Sequence, residues 1–228
     1  MARIVDLTQP LGPDTVLWPG SEPVELKPVT EIEAEGFFSQ LLRAPEHSGT
    51  HFDAPAHFVA SGPTVNQIPA EALIVPCAVL DVRDRADSDP DFALQREDLA
   101  PLEERDGPID RGSAVLLLTG WDAYRNDPAQ YLGGTDPGSL SFPGFGVGAA
   151  RSLIERGVVG IGTDATSVDR GADTEFPVHH TTLPAGLWHL EGLVGMGALP
   201  ARGATLFVGV LPLEGGSGAP ARVLAMVP

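Results

Sequence analysis

Short apolar runs separated by turn-forming residues dominate the chain and predict an α/β fold with many strands and few helices. Residues 113–119 form a continuous apolar run, which is typical of a strand buried on both faces. The remaining predicted strands are 4–8, 22–30, 36–43, 73–82, 158–162, 204–211 and 222–227. Strands of this length have to share a sheet, so the sheet is expected to carry most of the core.

Helical periodicity is clearest over residues 145–156, where Val147, Ala150 and Ile154 share one face and Gly157 is placed to end the helix. Weaker helical patterns are found at 68–72, 94–104 and 183–190. The helices are therefore expected to be a minor part of the fold.

Two long segments lack a clear period and are predicted as loops. Residues 83–91 are charged, and residues 126–143 are rich in Asn, Asp, Gly, Pro and Ser. The second is the longest predicted loop. Long loops in compact domains often carry function, so we expect it to form a rim or lid beside a binding site.

Chain length and charge narrow the class of protein. At 228 residues and 23.9 kDa, the chain is expected to form one domain, residues 1–228. It has 31 acidic and 14 basic residues, a formal net charge of −17, with no cluster of Lys and Arg. Such a surface repels phosphate groups, so neither nucleic acid nor an anionic membrane is an expected partner.

The single cysteine and the first residues bear on the compartment. Cys77 stands alone, which excludes an intrachain disulfide and a thiolate zinc site, and its apolar neighbours predict a buried, unreactive thiol. Residues 1–7 lack the apolar core of a signal peptide, and no apolar run approaches the length that spans a membrane. We therefore expect a cytoplasmic protein.

The candidate chemistry is concentrated in residues 47–57, which contain three of the six histidines and one aspartate. Gly49 and Pro55 disfavour a helix, and in an extended backbone His51, Asp53 and His57 face the same side. Imidazole and carboxylate together indicate a metal site that suits zinc, manganese or iron(II). The alternative is a set of packed histidines satisfied by hydrogen bonds.

Other catalytic patterns were tested against the sequence. The chain has no G-x-S-x-G, no H-E-x-x-H and no G-x-x-x-x-G-K. His189 and Glu191 match the H-x-E of the zinc deaminases, but the P-C-x-x-C that must follow it is missing, because the only cysteine lies upstream. Metal-assisted hydrolysis is therefore the leading class of reaction.

Residues 47–57 match, at every defined position, the motif H-x-G-T-H-x-D-x-P-x-H. In this the chain resembles the cyclase-like metal-dependent hydrolases, the family of bacterial kynurenine formamidase and isatin hydrolase. Further similarities follow in the family's order at 18–20, 119–122, 162–169 and 179–191. The resemblance implies a swivelling β/β/α domain with a mixed β-sheet, assembled as a homodimer or a larger homo-oligomer.

The resemblance also implies roles for individual residues. His47, His51 and Asp53 are expected to bind one divalent ion, zinc or manganese. Asp53 would bridge to a second ion held by Glu191 and by a histidine that is either His179 or His180. His57 is the expected acid and base, and Trp18 the expected contact to the substrate.

Three functions suit a protein with these residues. The first, and the one expected, is an arylformamidase of tryptophan catabolism that hydrolyses N-formylkynurenine to kynurenine and formate with metal-activated water. The second is a lactam hydrolase of the isatin hydrolase type, or one acting on another cyclic amide or lactone. The third is a catalytically silent metal-binding protein, against which His57 argues, because a binding site has no need of a base beside its ligands.

Overall fold

A closed β-sheet forms the centre of the computed structural model, which describes residues 2–228. The strands are β1 (Arg3–Asp6), β2 (Glu25–Thr30), β3 (Ser39–Arg43), β4 (His51–Asp53), β5 (Ile74–Asp81), β6 (Ala93–Leu94), β7 (Ala114–Leu118), β8 (Gly144–Phe145), β9 (Gly160–Thr163), β10 (Trp188–Glu191), β11 (Ala204–Val210) and β12 (Gly218–Val227). Of these, β2 and β3 form a separate hairpin, and β6 and β8 form a short parallel pair.

The main sheet has the strand order β1-β12-β11-β5-β7-β9-β10-β4. The first residues of β12 also pair with β4, so the sheet closes on itself as a barrel with β1 attached at its side. The pairs β5–β7, β7–β9 and β9–β10 are parallel and the others are antiparallel. The predicted α/β class with a mixed β-sheet and few helices is confirmed.

The α-helices are α1 (Ile32–Glu35), α2 (Arg83–Ser88), α3 (Arg96–Asp106), α4 (Pro128–Leu132), α5 (Val147–Arg156) and α6 (His179–Thr182). Helix α5 lies within the predicted span 145–156 and ends, as expected, at Gly157, which has a φ of +75°. Over residues 2–228, none of the helices combines the length and the apolar character needed to cross a bilayer.

Three predicted elements are wrong. The predicted loop at 126–143 contains helix α4. The charged loop at 83–91 contains helix α2, which is stabilised by burial of Ala86 and by Arg85, whose guanidinium lies over the Phe92 ring, 4.8 Å from its centroid. The predicted helix at 183–190 is a turn followed by strand β10. Pairing of β10 with β9 and β4 outweighs the local helical preference of its sequence.

The core has two layers that are separated by the sheet. Along β7, Leu116 and Leu118 point into the barrel, whereas Val115 and Leu117 pack against α3 and α5 on the outside. This alternation confirms the prediction of a strand buried on both faces. Cys77 is buried inside the barrel, and burial raises the pKa of its thiol to about 12, so the thiol is unreactive as predicted.

Candidate metal centre

Strands β4 and β10 bring four polar side chains to one face of the sheet. They pair antiparallel, with His51 opposite Glu191 and Asp53 opposite His189. The residues between them, Phe52 and Leu190, point into the barrel core. Because residues two apart on a strand share a face, both histidines and both carboxylates point away from that core into one cluster.

Helix α6 adds a third imidazole to this cluster. Asp169 accepts hydrogen bonds from the backbone N–H of His179 at 3.1 Å and from its ring Nδ1 at 2.6 Å. The ring is thereby fixed with Nε2 3.4 Å from Asp53 Oδ2 and 3.5 Å from Glu191 Oε1. His180 is exposed, so of the two histidines left open by the sequence, the structure places His179 in the cluster.

His51 lies between the two carboxylates. Its Nδ1–H donates to the backbone oxygen of Gly49 at 3.0 Å. In the neutral ring this leaves a lone pair on Nε2, which lies 3.3 Å from both Asp53 Oδ1 and Glu191 Oε2. Glu191 is oriented in turn by the backbone N–H of Val168, which donates to Oε1 at 2.8 Å.

Two buried atoms of the cluster have no hydrogen-bond partner among the described residues, Asp53 Oδ2 and His189 Nδ1. The Thr182 hydroxyl donates to Val178 O and so accepts from His189 Nε2 at 2.7 Å, which leaves a lone pair on Nδ1. That lone pair faces the carboxylate oxygen at 3.5 Å. Two acceptors buried face to face are costly unless a cation lies between them.

The donor set fits a divalent cation. Ligand atoms of Asp53, His179, His189 and Glu191 all lie within 4.8 Å of one another, and so do those of a second group, His47, Asp53 and His57. Asp53 belongs to both groups. Neutral imidazole and carboxylate are ligands of zinc, manganese and iron, and the unpaired acceptors described above explain why such an ion would be held here.

His57 is close to the cluster but is positioned by a different backbone than predicted. The chain leaves the extended conformation after Asp53, and Pro55–His57 forms a 3₁₀ turn. Proline suits the first position of such a turn because it needs no N–H donor there. The prediction of one extended face from 51 to 57 is therefore wrong beyond Asp53, although the turn still directs His57 to the cluster.

Burial and neighbouring carboxylates shift the pKa values of the imidazoles in opposite directions. Burial lowers the pKa of His57 to about 4, so this ring is neutral at physiological pH. Burial also acts to lower the pKa of His179, but hydrogen bonds to Asp169 and Asp53 outweigh it and raise the pKa to about 10. The pKa of His51 is raised well above 6.5 in the same way, against burial, by Asp53 and Glu191.

A cavity of about 270 Å³ opens above the cluster. Its aromatic walls are Trp18, Phe58, Tyr131 and Phe176, and its polar floor includes His47, His51, His57, His179 and Glu191. Trp18 and Phe176 pack with ring centroids 5.5 Å apart. No Lys or Arg lines the cavity in the part of the chain that the structure describes. The floor is therefore suited to a reacting group and the walls to a flat aromatic body.

The sequence that forms this site matches the model of a known protein family. The family model "Cyclase: Putative cyclase" matches residues 5–170, more than half of the chain. The chain belongs to the cyclase family. The named relatives of this cyclase-family protein are hydrolases.

Three relatives of this cyclase-family hydrolase illustrate the match. Isatin hydrolase of Roseibium aggregatum is 33% identical over 99% of this chain and 92% of its own length. Kynurenine formamidase of Salinibacter ruber is 29% identical over 97% of this chain and 96% of its own. The crystal structure of an isatin hydrolase bound to the product analogue thioisatinate has a TM-score of 0.94 and 32% identity, over 100% of this chain and 93% of that one.

Three residues of the candidate site in this cyclase-family hydrolase were not predicted from the sequence. His189 matched only a deaminase pattern, yet its spacing of two residues from Glu191 is the signal that places both side chains on one face of a strand. Tyr131 lies in the segment 126–143, predicted as a loop, and is buried in helix α4. Phe176 gave no signal, since its φ of +49° and its ring position depend on the tertiary fold.

Proposed function

We propose that this protein hydrolyses the amide bond of a neutral aromatic lactam of the isatin type, with a divalent metal ion. The observation that carries the proposal is the cavity, in which aromatic side chains surround a cluster of imidazoles and carboxylates and, among residues 2–228, no Lys or Arg contributes to the lining. The similarity to isatin hydrolase over nearly the whole of both chains supports it.

The charge of the cavity favours the lactam over N-formylkynurenine, the substrate first expected from the sequence. N-formylkynurenine carries a carboxylate on its amino-acid end, and burying that charge is costly unless a cation pairs with it. The cavity lining offers Glu191 but no Lys or Arg. Isatin is flat and neutral and needs no such partner. Arylformamidase activity is the second candidate, supported by the similarity to kynurenine formamidase.

The proposed ligands are assigned from the distances between donor atoms together with the family resemblance. His47, His51 and Asp53 would hold one ion, because His47 Nδ1 and His51 Nε2 lie 2.7 and 3.3 Å from Asp53 Oδ1. Asp53, His179, His189 and Glu191, which form one group of donor atoms, would hold a second, so that Asp53 serves both. A bound ion of this kind polarises the amide carbonyl and lowers the pKa of water from 15.7 to about 7. One or two ions per chain, zinc or manganese, follow from the family resemblance.

The remaining steps belong to the chain's own residues. The rings of Trp18 and Phe176 orient the flat body of the substrate and exclude water from its faces. His57 is neutral because burial lowers its pKa, so its imidazole accepts the proton of the attacking water. It then returns that proton to the amide nitrogen as the C–N bond breaks, which completes the ring opening without a charged amide leaving group.

The homo-oligomer implied by the family is part of the proposal. On the hairpin of β2 and β3 and the segment between them, six large apolar side chains are more than half exposed: Val29, Ile32, Phe37, Phe38, Leu41 and Leu42. A patch of this kind on a surface with a net charge of −17 is better explained by contact with a second copy than by solvent. Light scattering that reports a monomer would contradict this part.

The test of the proposed function compares two substrates. Protein stripped of metal and reconstituted separately with zinc and manganese is given isatin and N-formylkynurenine in parallel. We expect isatin to be opened only when metal is present, which the change in its absorbance measures. Turnover of the formamide should be at least tenfold slower. Turnover of the formamide alone would replace the proposal by the arylformamidase, and turnover of neither by the metal-loaded protein would rule out both substrates.

A further inference from the structure

A chain of hydrogen bonds runs from His47 away from the metal ligands to the surface. His47 Nε2 is 3.0 Å from the Ser217 hydroxyl, and that hydroxyl donates to Glu46 Oε2 at 2.7 Å. The same carboxylate oxygen accepts the backbone N–H groups of Ser217 at 2.9 Å and of Gly218 at 3.3 Å. On its other side, His47 Nδ1 lies 2.7 Å from Asp53 Oδ1.

The direction of these bonds is fixed by the single proton of the serine hydroxyl. Three donors converge on one oxygen of Glu46, so the hydroxyl of Ser217 gives its proton to that oxygen. Its oxygen is then an acceptor toward His47, and the neutral ring must carry its proton on Nε2. Nδ1 then faces Asp53 Oδ1 at 2.7 Å, a hydrogen bond in the metal-free ring that an ion held by both atoms would replace.

We infer that Glu46 and Ser217 are positioning residues that hold His47 in its Nε2–H form and so direct Nδ1 to the ion shared with Asp53. Residues behind a metal ligand commonly select the ring nitrogen that binds, and losing them weakens metal binding about 10–100-fold. The inference rests on the proposed metal centre and is independent of the substrate.

The backbone of β12 keeps the ring in the plane that this chain requires. Gly218 lies opposite Asp53 in the pairing of β12 with β4. A Cβ at Gly218 would be 2.5 Å from His47 Cε1 and 2.6 Å from Phe52 O, so the imidazole packs directly on glycine backbone. The loop that carries Ser217 therefore both bounds the ring and supplies its acceptor.

An alternative role for Glu46 is its negative charge, which attracts a cation through space. The two roles differ in what glutamine does. Because one oxygen of Glu46 accepts all three hydrogen bonds, the amide oxygen of Glu46→Gln can take them over without the charge. Glu46→Ala leaves the Ser217 hydroxyl free to donate to His47, which moves the ring proton to Nδ1.

The experiment measures zinc and manganese affinity by titration calorimetry, and the ring form of His47 in zinc-saturated protein by ¹⁵N NMR. We expect Ser217→Ala and Glu46→Ala to weaken binding about 10–100-fold, with loss of the Nε2–H signature. Ser217→Thr and Glu46→Gln should retain both properties. Glu214→Gln, a change at an exposed carboxylate in the same loop, is the matched control and should bind as wild type.

The outcomes separate the possibilities. Wild-type affinity in both alanine variants, or zinc bound through Nε2 of His47 in the wild type, would overturn the inference. If metal affinity falls equally in Glu46→Gln and Glu46→Ala, the negative charge of Glu46 is responsible and the chain of hydrogen bonds is not. If either alanine variant fails to fold, the ring form of His47 is measured in Ser217→Thr and Glu46→Gln, and this measurement decides the inference. Metal binding without turnover would count against the proposed function and leave this inference intact.

Discussion

His57 lies face to face with His47, with ring centroids 3.9 Å apart and 26° between the ring planes. The stacking fixes one imidazole beside another without using either nitrogen of His47, since both already have partners. A base has to be close to the bound ion and yet free of it. This pair of rings meets that requirement.

We expect His57→Ala to retain bound metal and to lose about 10²–10⁴-fold in kcat, the range for a single acid–base group. Metal content by mass spectrometry and turnover of isatin measure the two effects. His180→Ala, at an exposed histidine close to the same ring system, is the control and should keep both properties. Full activity in His57→Ala would remove His57 from the proposed role.

Metal binding is expected to release protons. Neighbouring carboxylates raise the pKa values of His51 and His179 in metal-free protein, that of His179 to about 10, so His179 carries a proton at pH 7.5. A cation binds only the deprotonated rings, so affinity should rise with pH up to the raised pKa values. Calorimetry in two buffers of different ionisation enthalpy should report at least one released proton per chain.

The same titration in His57→Ala provides a control. Burial lowers the pKa of His57 to about 4, so that ring has no proton to lose at pH 7.5. The number of protons released should therefore be unchanged in the variant. Binding without proton release in the wild type would show that the carboxylates do not hold the imidazole of His179 in its charged form.

Asp164 is expected to make stability depend on pH. Burial raises the pKa of its carboxyl from 3.8 to about 7, although the backbone and hydroxyl of Thr119 donate to it. Between these two values the unfolded chain has lost the proton and the folded chain keeps it. The free energy of unfolding should therefore fall as pH rises from about 4 to 7, by up to about 4 kcal/mol from this group.

Asp164→Asn should remove that slope and lower stability by about 1–3 kcal/mol, since the amide places a donor against the backbone donors of Thr119 or Gly120. Urea unfolding of metal-free protein at several pH values measures both effects. Asp14→Asn, at an exposed carboxylate, is the control. An unchanged slope in Asp164→Asn would assign the pH dependence to other groups.

Phe176 is expected to serve substrate binding at a cost in stability. Its φ of +49° is disfavoured for a residue with a Cβ, by about 1–2 kcal/mol. Phe176→Gly should therefore raise KM for isatin while losing less stability than Phe176→Ala, which removes the ring and keeps the strain. Steady-state kinetics and thermal unfolding distinguish the pair. Equal stability of the two variants would argue against strain at this position.

Much of the metal centre could be predicted from the sequence because it is local. His47, His51 and Asp53 lie within a few residues, and a β-strand places the last two on one face whatever surrounds them. His179 and Glu191 required a family resemblance, because the fold alone brings them together across α6 and β10. The choice between His179 and His180 depended on Asp169, whose carboxylate holds only one of them.

Three other features of the fold and the site could not be predicted, because each depends on tertiary contacts. The segment 183–190 has no strand signal until β9 and β4 pair with its end. His57 reaches the cluster through a 3₁₀ turn, which the pattern of residues around it did not indicate. Tyr131 is buried because helix α4 packs its ring beneath the cavity, where its hydroxyl donates to the backbone oxygen of Asp164. Tertiary contacts override local preference at these positions.

The closure of the barrel between β4 and β12 also sets an order of events during synthesis. Strand β4 carries His51 and Asp53, and its two neighbours in the sheet are β10 and the first residues of β12. Until the ribosome has released the chain beyond Pro220, His51 and Asp53 therefore have an incomplete set of partners. A metal ion held by His51 and Asp53 in the finished geometry would therefore bind only after β12 has joined the sheet.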